Sequence, residues 1–305
     1  MSPPDTLVAT RFPAMGGIAS VTLDGPAELL GYARCRLADL EQKWSRFRPE
    51  SEISRLNERR NDPIPVSQDT RLLVRCSATA WTETGGAFDP SVLDSLVAWG
   101  YSADFTALDR PVEPVPSPTA VGLSEVRVDD SAGTVDLGGA GFDPGGIGKG
   151  LAADLVATEL VSEGADAALV DVAGDLRVVA PPDDDRWVVG LEDPCDPSAD
   201  LVLMRLAGGA IATSSTRRRR WTTAQGRTVH HLHDPRSGSH ASTALRGVSV
   251  LAGEGWWAEA LTKYILVGGV PASDVGLLGA SAIGRTHDGA VVGTDDLLDL
   301  RSEAA

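Results

Sequence analysis

Residues 136–150 read Asp-Leu-Gly-Gly-Ala-Gly-Phe-Asp-Pro-Gly-Gly-Ile-Gly-Lys-Gly, and no other stretch constrains the chain so tightly. Seven glycines surround one carboxylate, Asp143, and one cation, Lys149. Glycine lets backbone approach a ligand closely and adopt positive φ, at an entropic cost that a purely structural loop seldom bears so often. Ahead of the loop, Val126–Val128 and Thr134–Leu137 read as a hairpin. Behind it, Ile147, Leu151 and Leu155, with Ala152, Val156 and Leu160, mark two adjacent stripes of a helix ending near Gly164. A strand that empties into glycines and then a helix N-terminus offers free N–H groups and a positive dipole end, which suits phosphate. The loop therefore points to a nucleotide-type ligand carrying a pyrophosphate or metal-phosphate group.

Two named phosphate motifs fail here. A Walker A loop needs glycine five residues before the Gly148-Lys149 pair, where Asp143 stands, and Ser or Thr where Gly150 stands. Gly148-Lys-Gly150-Leu-Ala-Ala153 fits the dinucleotide pattern G-x-G-x-x-A, with Asp171 about 20 residues on. A long loop separates it from the preceding strand, where that fingerprint requires a tight turn.

At 305 residues and 42% hydrophobic composition, the chain can bury a core as one large domain or two lobes. Net charge is −16, from 43 acids against 27 bases, which argues against nucleic acid as a partner. Three dispersed cysteines, Cys35, Cys76 and Cys195, make neither a disulfide framework nor a thiolate zinc site. No segment approaches 18 apolar residues and no signal-like N-terminus is present, so the expectation is a soluble, cytoplasmic protein without a membrane anchor.

Apolar spacing predicts helices over Ala27–Phe47, Arg71–Glu83 and Ser91–Trp99, and a last one from about Trp257 to Val267. Strand-like runs recur at Val8–Leu23, Ala168–Val172, Leu176–Val179, Trp187–Leu191, Leu201–Leu206 and Gly247–Leu251, several joined by tight turns. This mixture favours an α+β fold of mixed or antiparallel sheets with flanking helices over a regular βαβ array. The proline-rich stretch 110–118 is the expected connector, residues 7–300 one domain, and residues 301–305 a disordered tail.

Seven segments occur in order: Met15-Gly16-Gly17; Trp44-Ser-Arg-Phe-Arg-Pro-Glu-Ser-Glu-Ile-Ser-Arg-Leu-Asn57; Gly86-Ala-Phe-Asp-Pro90 with Trp99-Gly100; Phe142–Gly150; Val170-Asp-Val-Ala-Gly-Asp175; Ala212-Thr-Ser214; and His231-Leu-His-Asp-Pro-Arg-Ser-Gly238. Together they resemble the ApbE family of bacterial flavin transferases, the FAD:protein FMN transferases. The resemblance implies an enzyme that cleaves the pyrophosphate of FAD, places FMN on a threonine hydroxyl of an acceptor flavoprotein and releases AMP, with Mg²⁺ assisting. By position it implies FAD contacts at Met15, Phe47, Asn57, Ala87, Phe88, Asp89, Asp143, Lys149 and Leu232, with Asn57 influencing transfer against hydrolysis. It also implies His231 as general base and a metal site at Gly146 and on the segment Ala258-Glu259-Ala260-Leu261-Thr262-Lys263.

That last segment departs from the family pattern A-D-A-x-x-T. Glu259 is one methylene longer than the family's aspartate, and Lys263 stands where a threonine ligand is expected. An ammonium cannot ligate a cation unless it loses its proton. Three arrangements are open: Lys263 turns outward and Thr262 substitutes, the metal sits elsewhere, or the ammonium stands in for the metal. The altered segment also leaves open a flavin-binding protein without transfer activity, or an FAD pyrophosphatase.

Bland readings stand beside these. Asp89, Asp143 and Asp234 each precede proline and fit helix or turn capping. Strand alternation would place His231 and His233 on one face and His230 on the other. The run Arg217–Arg220 reads as a solvated loop, or as a source of one or two arginines that clamp pyrophosphate.

Overall fold

The computed structural model describes residues 7–104, 119–184, 186–196 and 198–304. Its frame is an eight-stranded sheet in which spatial order follows chain order and every neighbouring pair is antiparallel. The strands are β1 (Leu7–Ala14), β2 (Gly17–Asp24), β3 (Ala167–Val172), β4 (Asp175–Val179), β5 (Gly208–Ser215), β6 (Leu245–Ala252), β7 (Ser281–Thr286) and β8 (Val291–Gly293). Two-residue turns close two of the hairpins. Met15 and Gly16 join β1 to β2, and Ala173 and Gly174 join β3 to β4, all four with positive φ. Such mirror-image turns match the right-handed twist of paired strands.

A long insertion separates β2 from β3. It holds helices α1 (Leu29–Trp44), α2 (Glu52–Glu58), α3 (Gln68–Glu83) and α4 (Leu93–Ala98), then a small sheet of Ile64–Pro65, Thr134–Asp136 and Arg127–Asp129, then α5 (Gly148–Ser162). Helix α6 (Gly255–Leu266) connects β6 to β7, and α7 (Asp295–Ala304) follows β8.

Strand alternation gives the sheet two apolar faces. On one, Ala168, Val170 and Val172 of β3 meet α5 (Ala152, Val156, Leu160) and α1 (Leu37, Leu40, Trp44) in a single body. Alongside, Ala212 of β5 and Val248 and Val250 of β6 pack on Leu261 and Ile265 of α6. On the opposite face, Val178, Ile211 and Ile283 are covered by Trp187, by the hairpin Val188–Glu192/Asp200–Arg205 and by Leu297 of α7. The two stripes read for α5 both bury, because this helix lies between the sheet and its neighbours α1 and α6.

The α+β class expected from sequence is the one observed. The dinucleotide fingerprint at 148–153 has no parallel βαβ unit around it, since the main sheet is antiparallel throughout. Residues 301–304, expected as a disordered tail, complete α7, and Trp257–Val267 is not the last helix. Asp295 and Asp296 in the first turn of α7 and Arg301 in its last complement the helix dipole, and Leu297 anchors it. The expected connector 110–118 and residue 305 lie outside the described residues.

Candidate active site

One cleft, of about 770 Å³, opens where the insertion meets the main sheet. The Met15–Gly17 turn, residues 44–47, residues 87–90, the glycine loop, Thr213–Ser215, Arg218–Arg219 and residues 231–233 all line it.

The loop is held by local chemistry. Asn57 of α2 clamps its approach, donating from Nδ2 to the Phe142 carbonyl at 2.8 Å and accepting from the Phe142 N–H at 2.7 Å. Asp143 caps the short 3₁₀ turn Pro144–Gly146 by accepting from the Gly145 N–H at 2.6 Å, and it also pairs with Arg46 at 3.0 Å. Gly145, Gly146 and Gly148 then line the cleft. Gly150 has another duty. A β-carbon there would sit 2.2 Å from the Gly255 carbonyl oxygen, so this glycine lets α5 and α6 cross backbone to backbone.

Part of the cleft lining is aromatic. The Arg46 guanidinium lies 4.2 Å from the Phe47 ring centre and 4.6 Å from that of Tyr101, which in turn leans on Trp221 at 5.6 Å. Met15, Ala87, Phe88 and Leu232 add further apolar lining, and Phe88 meets the Lys263 side chain over Gly146. Asp89 caps Pro90–Val92 through the Ser91 N–H at 2.8 Å, and burial raises its carboxyl above the ordinary range.

The cleft also holds a buried ion cluster. Glu259 of α6 is 1% exposed; one oxygen accepts from the Gly150 N–H at 2.9 Å. The other lies 3.3 Å from the Lys149 ammonium and 3.4 Å from that of Lys263. Lys149 also contacts Asp175, which is 1% exposed and accepts from the Thr213 N–H at 3.2 Å. Burial opposes the charge on Glu259, but the two lysines and the Gly150 N–H hold its carboxyl below the usual range. Burial also lowers Lys149, to about 8 against the pull of Glu259, which leaves it charged at neutral pH.

His231 lines the same cleft, within electrostatic reach of Arg219 and Lys263. Its Nδ1 is buried with no hydrogen-bond partner among the described residues. Burial, with the cations Arg219 and Lys263 next, pushes its pKa well below 6.5, so the ring is neutral at physiological pH. The continuous strand assumed for alternation is absent, because Thr228–His230 ends before His231 and pairing resumes at His233. His231 and His233 still line the cleft, while His230 packs on His240 at 5.6 Å.

A model of the ApbE family matches residues 15–275. The chain belongs to the ApbE family. The FAD:protein FMN transferase of Treponema pallidum (strain Nichols) is 27% identical over 248 residues, which cover 76% of this chain and 68% of that one. The FAD:protein FMN transferase of Salmonella typhimurium (strain LT2) is 28% identical over 231 residues, covering 70% and 64%. This chain therefore spans about two thirds of the length of these curated relatives. The crystal structure of the ApbE protein from Thermotoga maritima has the same fold, with TM-score 0.84 at 24% identity over 97% of this chain and 99% of that one. The apo form of Pseudomonas stutzeri flavinyl transferase ApbE gives TM-score 0.80 at 25% identity over 97% of each chain.

Within this ApbE fold, Met15, Phe47, Ala87, Phe88, Asp89, Asp143, Lys149, His231 and Leu232 converge on one cleft. Asn57 does not join them, since both ends of its amide are spent on Phe142 and it positions the loop from behind. Asp89 and Asp143 cap turns, as the bland reading has it, and both also line the cleft. Asp234 only caps its own turn. Of the arginine run, Arg218 and Arg219 reach the cleft, and Arg217 instead bonds the Pro194 carbonyl. Sequence reading assigned no role to Arg46, Tyr101 or Asp175. The signal for Asp175 was a carboxylate directly after the Ala173-Gly174 turn in a chain with only three lysines to pair with it.

The metal ligands drawn from the family do not assemble. Thr262 is not among the residues lining the cleft, and its hydroxyl is taken up locally, donating to the Glu259 carbonyl at 2.7 Å and meeting Ser214 Oγ at 2.7 Å. Lys263 turns inward and lies over Gly146, where a β-carbon would sit 3.5 Å from its Cε. Mg²⁺ requires near-octahedral oxygen at 2.0–2.1 Å, and Glu259 offers oxygens already held by an N–H and two ammonium groups. A +2 ion about 4 Å from one such ammonium is repelled by roughly 8 kcal/mol at an effective dielectric near 20. Among the described residues no three His, Cys, Asp or Glu side chains converge on a metal position. The donor set does not fit a divalent cation.

Proposed function

We propose that this chain transfers FMN from FAD to a hydroxyl of an acceptor protein, that of a threonine, with release of AMP. The observation that carries the reading is a single cleft whose lining combines the aromatic rings of Phe47 and Tyr101 with the cations Lys149, Lys263 and Arg219. A dinucleotide whose planar flavin and charged pyrophosphate are joined by a short chain matches that combination. Family membership supports the chemistry.

In this reading the acceptor oxygen attacks the phosphorus on the FMN side of the pyrophosphate. The P–O bond to the AMP phosphate breaks, and AMP leaves with the electron pair as a phosphate oxygen. His231 takes the hydroxyl proton through a ring that burial and nearby cations keep neutral. Bound pyrophosphate would offset those cations, raising the basicity of His231 only when substrate is present. Lys149, Lys263 and Arg219 neutralise charge on the transferring group. No step is assigned to Mg²⁺, whose ligands do not assemble.

Incubation of the protein with FAD and a threonine-bearing peptide from a flavoprotein should yield AMP and a flavin-labelled peptide in equal amounts. AMP with free FMN and no label would show a pyrophosphatase, and FAD binding without AMP would show a protein that has lost transfer. Either result would overturn the transferase reading.

A further inference from the structure

Glu259 is a buried carboxylate with a cation on either side. Its two oxygens take the Gly150 N–H at 2.9 Å, Lys149 at 3.3 Å and Lys263 at 3.4 Å, while Lys149 is shared with buried Asp175. Two ammonium groups against two carboxylates make the buried cluster neutral. Lys149 spends its charge on two carboxylates. Lys263 makes one long contact, crosses above Gly146 and lines the cleft, so its remaining N–H donors face the cavity. Arg219 lines the same wall and makes no ion pair with a described residue.

We infer that the Lys263 ammonium is this chain's built-in replacement for a divalent cation, so that it binds the pyrophosphate of FAD without metal. The inference rests on the FAD reading above. A dianionic pyrophosphate needs positive charge beside its bridging and terminal oxygens, and a tethered ammonium supplies hydrogen-bond donors as well as charge. Glu259 holds that ammonium in place, and when Lys263 is removed it keeps its contacts to Lys149 and the Gly150 N–H. The lengthened acid fits the same logic: glutamate reaches the Gly150 N–H and both lysines at once.

The test uses the intact protein. Flavin fluorescence titrations with FAD are run in EDTA and in excess Mg²⁺, Mn²⁺ alone is titrated by electron paramagnetic resonance, and riboflavin serves as a ligand without phosphate. The expected results are an unchanged Kd for FAD in the two buffers and no stoichiometric Mn²⁺ binding. Lys263→Met should weaken FAD by about tenfold or more while riboflavin binding stays the same. Lys263→Thr combined with Glu259→Asp should make FAD binding depend on Mg²⁺. A wild-type protein that binds FAD only with Mg²⁺, or takes up one Mn²⁺, overturns the inference and leaves the flavin reading standing. A protein that binds FAD in no condition overturns both. The wild-type titrations decide the matter even if a variant fails to fold.

Discussion

Two side chains decide what the cleft can do, and they differ in how the fold constrains them. His231 stands on a break between two short strands with its Nδ1 unpartnered, whereas Lys149 is fixed between Glu259 and Asp175. Replacing His231 with glutamine should lower transfer by roughly 100-fold or more, the range lost with a general base, and leave the Kd for FAD nearly unchanged. Parallel loss of binding and turnover would make His231 a contact residue only. The pH profile tests the same assignment. A base is active when unprotonated, and the protonated form of His231 is disfavoured by burial and then by Arg219 and Lys263. The acid limb of kcat/KM, which reports the free enzyme, should therefore fall below pH 6.5 and move upward toward it in Arg219→Ala. A limb that stays put in that variant would remove Arg219 from the neighbourhood of the reacting proton.

At the scale of elements, the site depends on how closely α5 and α6 cross. Gly150 and Gly255 bring the two backbones together, and that contact carries the Gly150 N–H to Glu259. An alanine inside a helix ordinarily gains up to about 1 kcal/mol over glycine. Here its β-carbon would meet a carbonyl oxygen, an overpacking conflict that costs about 1–3 kcal/mol and forces the helices apart. Gly150→Ala should thus lower the thermal midpoint and weaken FAD binding together, and a stabilised protein would refute the crossing. The helices themselves were legible because periodicity is a local property: α1, α3, α5 and α6 fall within a few residues of their expected bounds. Helix α2 was not, being seven residues long and defined by the Ser51 cap on the Ser54 N–H. The loop glycines all looked alike in the sequence, yet three line the cleft and one is a helix contact, because their roles depend on residues a hundred positions away. Lys149, Asp175, Glu259 and Lys263 come from α5, β4 and α6, and no spacing rule could have joined them before the sheet did.

For the whole molecule, the cleft is walled both by the insertion and by the later strands, whose apolar bodies are separate. A ligand bound across them should stabilise the fold as one unit. FAD at 100 times its Kd adds about 2.7 kcal/mol, which should raise the midpoint by roughly 4–8 °C in a single sharpened transition, read by calorimetry. A rise confined to one of two transitions would place the ligand on one wall. The antiparallel order of the sheet carries a consequence for assembly. Strand β2 pairs with β3, yet residues 25–166 intervene, so the first hairpin leaves the ribosome with its partner edge still unmade. During that interval α1 can already cover the hairpin, as in the contact of Arg34 with the Phe12 ring at 4.7 Å, while the edge that will meet β3 waits, since closing so large a loop is slow until the helices bring its ends near. Synthesis in cells therefore favours a route in which this hairpin is held by a helix first and zipped into the sheet later.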